Sequence, residues 1–118
     1  MFHICKNNNI TITRGDSFAL DIFVNVGTSF EPKLYPLEGE DKLYFGLMEP
    51  NQPFEFALVR KVFTKEDVDE ETGMVHMEFE PEMTEYLMPG TYYYMVKLKT
   101  ADGEVSTVIS KTKFIILD

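Results

Sequence analysis

The segment Ser17-Phe18-Ala19-Leu20-Asp21-Ile22-Phe23-Val24-Asn25-Val26 decides the fold class. Phe18, Leu20, Ile22, Val24 and Val26 share one face, while Ser17, Asp21 and Asn25 share the other. A period of two with one apolar side makes a strand that has a core beneath it and water above. Ile10-Thr11-Ile12-Thr13 alternates in the same way, and Gly15-Asp16 supplies the bend between the two runs. Downstream, residues 42–48 align Leu43, Phe45 and Leu47. Across the turn Pro50-Asn51-Gln52-Pro53, residues 54–62 align Phe54, Phe56, Leu58 and Val62, so the two runs read as a hairpin. Residues 74–80 put Val75, Met77 and Phe79 on one side, and residues 91–100 set Tyr92, Tyr94, Val96 and Leu98 against Tyr93, Met95, Lys97 and Lys99. Ala101-Asp102-Gly103 is a hairpin turn, with residues 104–110 and 113–117 as the last strands. Helix is scarce. Thr64-Lys65-Glu66-Asp67 has an N-cap followed by acids, which suits one short helix, and residues 81–87 suit a single helical turn. Residues 27–40, with two prolines and two glycines, make the longest loop. The expectation is an all-β, antiparallel, Ig-like sandwich of about seven to eight strands in one domain spanning residues 1–118.

Composition narrows the function. A chain of 118 residues, 44% hydrophobic and 14% aromatic, is long and apolar enough to fold around one core. Eleven basic residues against twenty acidic ones leave a net charge of −9, so nucleic acid is not an expected partner. No apolar run approaches the roughly 18–20 residues that span a bilayer, so no membrane partner is expected. Met1-Phe2-His3-Ile4-Cys5-Lys6 lacks the charged start and long apolar stretch of a secretion signal. The one cysteine, Cys5, has no internal partner, which suits synthesis in a reducing cytoplasm. Only His3 and His76 join Cys5 as soft metal ligands, and no pair among them has ligand spacing apart from His3 and Cys5, which share one strand face. The chain also lacks GxSxG, GxGxxG, P-loop and HExxH motifs. No enzyme activity, cofactor or metal is expected.

Two resemblances add to this reading. Leu87-Met88-Pro89-Gly90-Thr91-Tyr92-Tyr93-Tyr94 resembles the tyrosine corner of immunoglobulin and fibronectin-III sandwiches, where a tyrosine hydroxyl bonds the backbone of the turn. Ile10-Thr11-Ile12-Thr13-Arg14-Gly15-Asp16-Ser17-Phe18, Gly39-Glu40-Asp41-Lys42-Leu43-Tyr44-Phe45 and the run 81–87 follow a second pattern. Gly90-Thr91-Tyr92-Tyr93-Tyr94, Gly103-Glu104-Val105-Ser106-Thr107-Val108-Ile109 and Lys113-Phe114-Ile115-Ile116 complete it. Over residues 10–117 this is similar to the N-terminal domain of baseplate upper proteins in phages of Gram-positive bacteria. The resemblance implies a structural virion protein of a phage or prophage, located in the virion. Its partners would be other tail or baseplate proteins, with further copies of itself as a homo-oligomer. A full upper protein of that family continues into a helical and receptor-facing region, so a direct link to a receptor-binding protein is not part of the expectation.

The residues with functional readings are few. Tyr93 and Met95, on the outward side of their strand, are the expected partner contact, together with Phe2 and Ile4 of a terminal strand that adds to a partner's sheet. The wider aromatic set Tyr44, Phe45, Tyr86, Tyr92 and Tyr94 divides between core and surface, because strand neighbours point opposite ways. A carbohydrate-binding or adhesion module is the alternative from another class. Arg14-Gly15-Asp16 spells an integrin-binding tripeptide, but it also suits a plain turn between strands. Asp67, Asp69, Glu70 and Glu71 offer oxygens for calcium, without the order of an EF-hand, and also suit a solvated acidic connector.

Overall fold

Period-two burial dictates the architecture. The computed structural model describes residues 3–4, 9–24, 37 and 39–118. Its strands are β1 (His3–Ile4), β2 (Ile10–Thr13), β3 (Phe18–Ile22), β4 (Lys42–Met48), β5 (Val59–Phe63), β6 (Val75–Phe79), β7 (Gly90–Lys99) and β8 (Val105–Leu117). One sheet has the order β1-β2-β8-β7-β4-β5, and a smaller one pairs β3 with β6. Among the described ladders only β2–β8 is parallel. The fold is an all-β sandwich of two sheets. The run β8-β7-β4-β5 of the large sheet faces the β3-β6 pair. No helix among the described residues is long and apolar enough to cross a membrane.

Aromatic rings from both sheets meet in the core. Phe18 stacks on Phe79 across the small sheet at 4.5 Å between centroids. Phe79 reaches across to Phe45 at 4.7 Å, and Phe45 lies 5.6 Å from Tyr94 of the large sheet. Such pairs contribute beyond the area they bury. Burial pushes the Tyr94 hydroxyl up to about 12. An unfolded tyrosine ionises near 10, so the fold loses this contribution as pH rises from there through the raised value. On the order of 1–2 kcal/mol of alkaline destabilisation is expected from this group. Urea unfolding followed between those two pH values should show a shallower loss for Tyr94→Phe than for the parent; equal slopes would contradict it.

The tyrosine corner is present and is built on Tyr92, whose hydroxyl donates to the Met88 carbonyl at 2.7 Å. Tyr92 points inward with Tyr94, Val96 and Leu98, as the alternation requires. Replacing Tyr92 with phenylalanine keeps the ring and removes this one bond, with an expected loss of about 1 kcal/mol. The urea midpoint should fall at unchanged slope; an unmoved midpoint would show that the corner is held by packing alone.

The helical turn expected at residues 81–87 is present, and the helix expected from Thr64 to Thr72-Gly73 is reduced to one 3-10 turn, with Val68 already extended. Thr64 caps a 3-10 turn at Lys65–Asp67, its hydroxyl accepting from the Glu66 amide while the Asp67 carboxylate accepts from the Thr64 amide at 2.9 Å. A single turn, α1 (Glu82–Glu85), precedes the corner. Gly103 takes φ of 93° in the β7–β8 hairpin, a conformation that glycine adopts without strain.

Two expectations differ. Residues 54–58 do not extend the strand: Phe54–Phe56 form a 3-10 turn, and β5 begins at Val59. That break shifts the alternation by one, so Phe63 enters the core and Val62 stays 49% exposed. The two last strands are one continuous β8, kept in pairing with β7 by register shifts between Tyr94 and Lys97. Val24 is buried as expected, whereas Asn25, Val26 and most of the loop at 27–40 lie outside the described residues.

Candidate contact face

The outward side of the large sheet is set by the same register that fills the core. Leu43, Phe45 and Leu47 of β4 point into the core, which sets Lys42, Tyr44, Gly46 and Met48 on the other side of the sheet, where Gly46 and Met48 are themselves buried. Their β7 partners on that face are Lys99, Lys97, Met95 and Tyr93 respectively. Tyr93 and Met95 are therefore outward and half-buried, beside each other, as the alternation expects. Tyr93 is flanked by Met48 on one strand and Lys113 on the other, and the Lys111 ammonium sits 5.5 Å from its ring centre.

Part of this face is covered by the chain itself, which the alternation alone does not reveal. The β4–β5 connection folds back over the sheet and lays Phe54 on Gly46. A Cβ at Gly46 would stand 2.6 Å from the Phe54 ring, so only glycine admits this contact. Lys97 places its ammonium 5.0 Å from the centre of the Phe54 ring, and Lys111 donates to the Pro50 carbonyl at 2.9 Å. The signal in the sequence is Gly46 itself, since a glycine within an alternating strand often marks a close approach by another segment.

The large sheet has two edges. β1 occupies one edge, paired with β2 through His3–Thr11 and Ile4–Ile10. Phe2 and the Ile4 side chain lie outside the described residues. β5 occupies the other edge and is guarded by Lys61, an inward-facing charge. Its ammonium crosses to the small sheet, bonding the Glu78 carbonyl at 2.9 Å and the Glu80 carboxylate at 2.7 Å. It lies 5.5 Å from the centre of the Phe79 ring. The hydrogen bond from Lys61 holds the Glu80 carboxyl below its ordinary value. An inward charge of this kind discourages another strand from adding at that edge.

The remaining candidates occupy other places. The Arg14 guanidinium pairs with Asp118 at 2.7 Å, and the Gly15 amide donates to the buried Thr84 hydroxyl at 3.0 Å. The tripeptide is thus a turn stitched to the end of the sandwich. Beside β5 and β6 an open cleft of about 560 Å³ is lined by Glu66, Asp67, Asp69, Glu78 and Glu80, with Lys61 and His76. Asp67 and Asp69 are used locally, as acceptors for the amides of Thr64 and Glu71. No three His, Cys, Asp or Glu side chains among the described residues gather as metal ligands. His76 is exposed between Asp21 and Glu78, at 2.8 and 3.1 Å. Hydrogen bonds that its ring donates to Asp21 first and Glu78 second raise its pKa above the usual 6.5. Its pairing therefore helps the fold below that value and fades as pH rises through the raised one. Cys5 and the His3 side chain lie outside the described residues. Tyr86 and Met88, 83% and 78% exposed, project from the corner before β7.

The geometry defines an all-β sandwich with one half-covered aromatic face and one acidic face. No protein-family model, curated protein or solved structure matches the chain.

Proposed function

We propose that this chain is a structural virion protein of a phage or prophage, a tail or baseplate adaptor that works by binding neighbouring virion proteins. The observation that carries the contact reading is the outward pair Tyr93 and Met95, half-buried on strand β7 beside the fully buried Met48. Aromatic and methionine side chains on a fixed sheet bury apolar area while losing little freedom, which suits a recurring protein contact. The virion reading is supported by the resemblance of residues 10–117 to baseplate upper proteins. The role of β1 is to present an edge for strand addition, with Phe2 and Ile4 as its apolar contacts. No catalytic step, cofactor or metal enters this proposal.

The test is direct. The chain is mixed with tail, neck and capsid proteins of the phage that encodes it, and mass is measured by light scattering at low and high salt. A complex with a tail or baseplate protein is the expected result. No complex with any of them at tens of micromolar removes the adaptor reading, and selective binding to glycans in its place would favour a carbohydrate-binding module.

A further inference from the structure

Strand register sorts the charges of this acidic chain onto two opposite faces. Six of its eleven basic residues, Lys42, Arg60, Lys97, Lys99, Lys111 and Lys113, stand on the outward side of the large sheet. Carboxylates fringe this face, Glu40 and Glu66 at one end and Glu49 and Glu55 in the connection folded over it. None takes an outward position on β4, β5, β7 or β8. The small sheet is the reverse: Asp21 and Glu78 point outward beside His76 and Ala19. Glu80 and the carboxylates of the neighbouring cleft extend that acidic side.

A second observation makes the sorting more than a by-product of composition. Lys42 and Lys99 are direct cross-strand partners on the basic face. Like charges opposite each other weaken a sheet; Glu40 and Glu66 at the rim of the same recess offset part of this, and an acidic surface laid against the face would offset more. The two sheets pack core to core, which puts the basic and acidic faces on opposite sides of one molecule.

We infer that copies of this chain stack head to tail, the basic face of the large sheet in one copy lying on the acidic face of the small sheet in the next. A surface that meets a different surface of its own copy gives an open stack, or a ring if the tilt closes. The inference rests on the adaptor reading in taking contact as the function, and it names the partner as a second copy. Four strands ~4.8 Å apart and ~7 residues long span several hundred Å², of which the connection that lays Phe54 on Gly46 covers part. That is below the ~800 Å² per side of a stable pair, so one contact is weak and repetition makes it hold.

Salt separates this from other contacts. At ~0.01 M the screening length of ~30 Å matches the 28–38 Å dimensions of the molecule, so the net charge of −9 drives copies apart. At ~0.15 M, with a length of ~8 Å, that repulsion is screened while charges in direct contact still attract. At ~1 M the contact charges are screened too. Self-association therefore peaks at intermediate salt, whereas an apolar contact strengthens steadily with salt.

The experiment is sedimentation of the full chain across that salt range at hundreds of micromolar, with two charge-reversed variants checked for fold by circular dichroism. Lys99→Glu/Lys113→Glu makes both faces acidic; Asp21→Lys/Glu78→Lys makes the small sheet basic as well. All four sites are exposed, so the fold is expected to survive. The parent should associate most at intermediate salt, each variant alone should lose at least tenfold in association, and an equimolar mixture of the two should recover it. A parent that stays monomeric throughout, or associates monotonically with salt, overturns the stack. So does a mixture that does not recover, or a basic face that takes up a DNA duplex without self-association. A parent that fails to stack yet binds a tail protein leaves the adaptor reading standing, and a parent that stacks but binds no virion protein removes that reading alone.

Discussion

Replacing Phe45 with alanine is expected to cost about 3–5 kcal/mol of stability, the range for a large ring removed from a packed core. Phe45 is fully buried at the centre of β4 and links the sheets, lying 4.7 Å from Phe79 of the small sheet and 5.6 Å from Tyr94 of the large one. Its neighbours Leu43, Leu47 and Val96 are also fully buried, so little around it can collapse into the space. Domains of this size are stable by about 5–15 kcal/mol, so this one substitution takes a large share and can unfold the chain outright. Urea unfolding measures it. A loss under about 1 kcal/mol would mean that the two sheets do not meet through Phe45. Phe45→Leu, which refills part of the volume, should recover much of the stability.

The second large effect concerns binding. In a complex with a tail or baseplate protein, Tyr93→Ala is expected to weaken affinity by about 2 kcal/mol, or roughly 30-fold. Lys99→Ala should cost less than about 1 kcal/mol, because Lys99 is exposed at the end of β7 and its ammonium remains in water. Tyr93 sits nearer the middle of the face, with Met48 and Lys113 at its sides. Burying such a ring away from water is what concentrates binding energy at a few positions. Titration calorimetry gives both values. The reverse ranking would move the contact off the outward side of β7.

The alternation at Phe18–Ile22, Lys42–Met48, Val75–Phe79 and Gly90–Lys99 was legible because each strand buries one side only. The corner at Tyr92 was legible too, since proline, glycine and an inward tyrosine are local chemistry. Where local pattern and tertiary placement conflict, legibility ended. Phe54, Phe56 and Leu58 alternate like a strand, yet Gly46 opens a place for the Phe54 ring and the segment coils over β4 to fill it. Residues 104–117 hold two alternating stretches out of phase, and only pairing with β7 shows that register shifts join them. Strand order was invisible for the same reason: the parallel ladder of Ile10–Thr13 on β8 joins segments about a hundred residues apart. The outward side of Tyr93 and Met95 followed from period two, but the charge sorting did not. It needs the register that sets Lys42 beside Lys99 and Asp21 beside His76.

Hydroxyl-radical footprinting of the chain, free and mixed with a tail or baseplate protein as the proposed partner, tests the contact face most directly. It reads tyrosine and methionine at single-residue resolution, and this chain offers a matched pair on each side of the question. Tyr93 and Met95 lie on the outward face of β7, while Tyr86 and Met88 project from the preceding corner. Assembly should lower labelling of Tyr93 and Met95 several-fold and leave Tyr86 and Met88 unchanged. Protection of Tyr86 and Met88 with Tyr93 and Met95 still labelled would contradict the account and put the contact at the end of the sandwich.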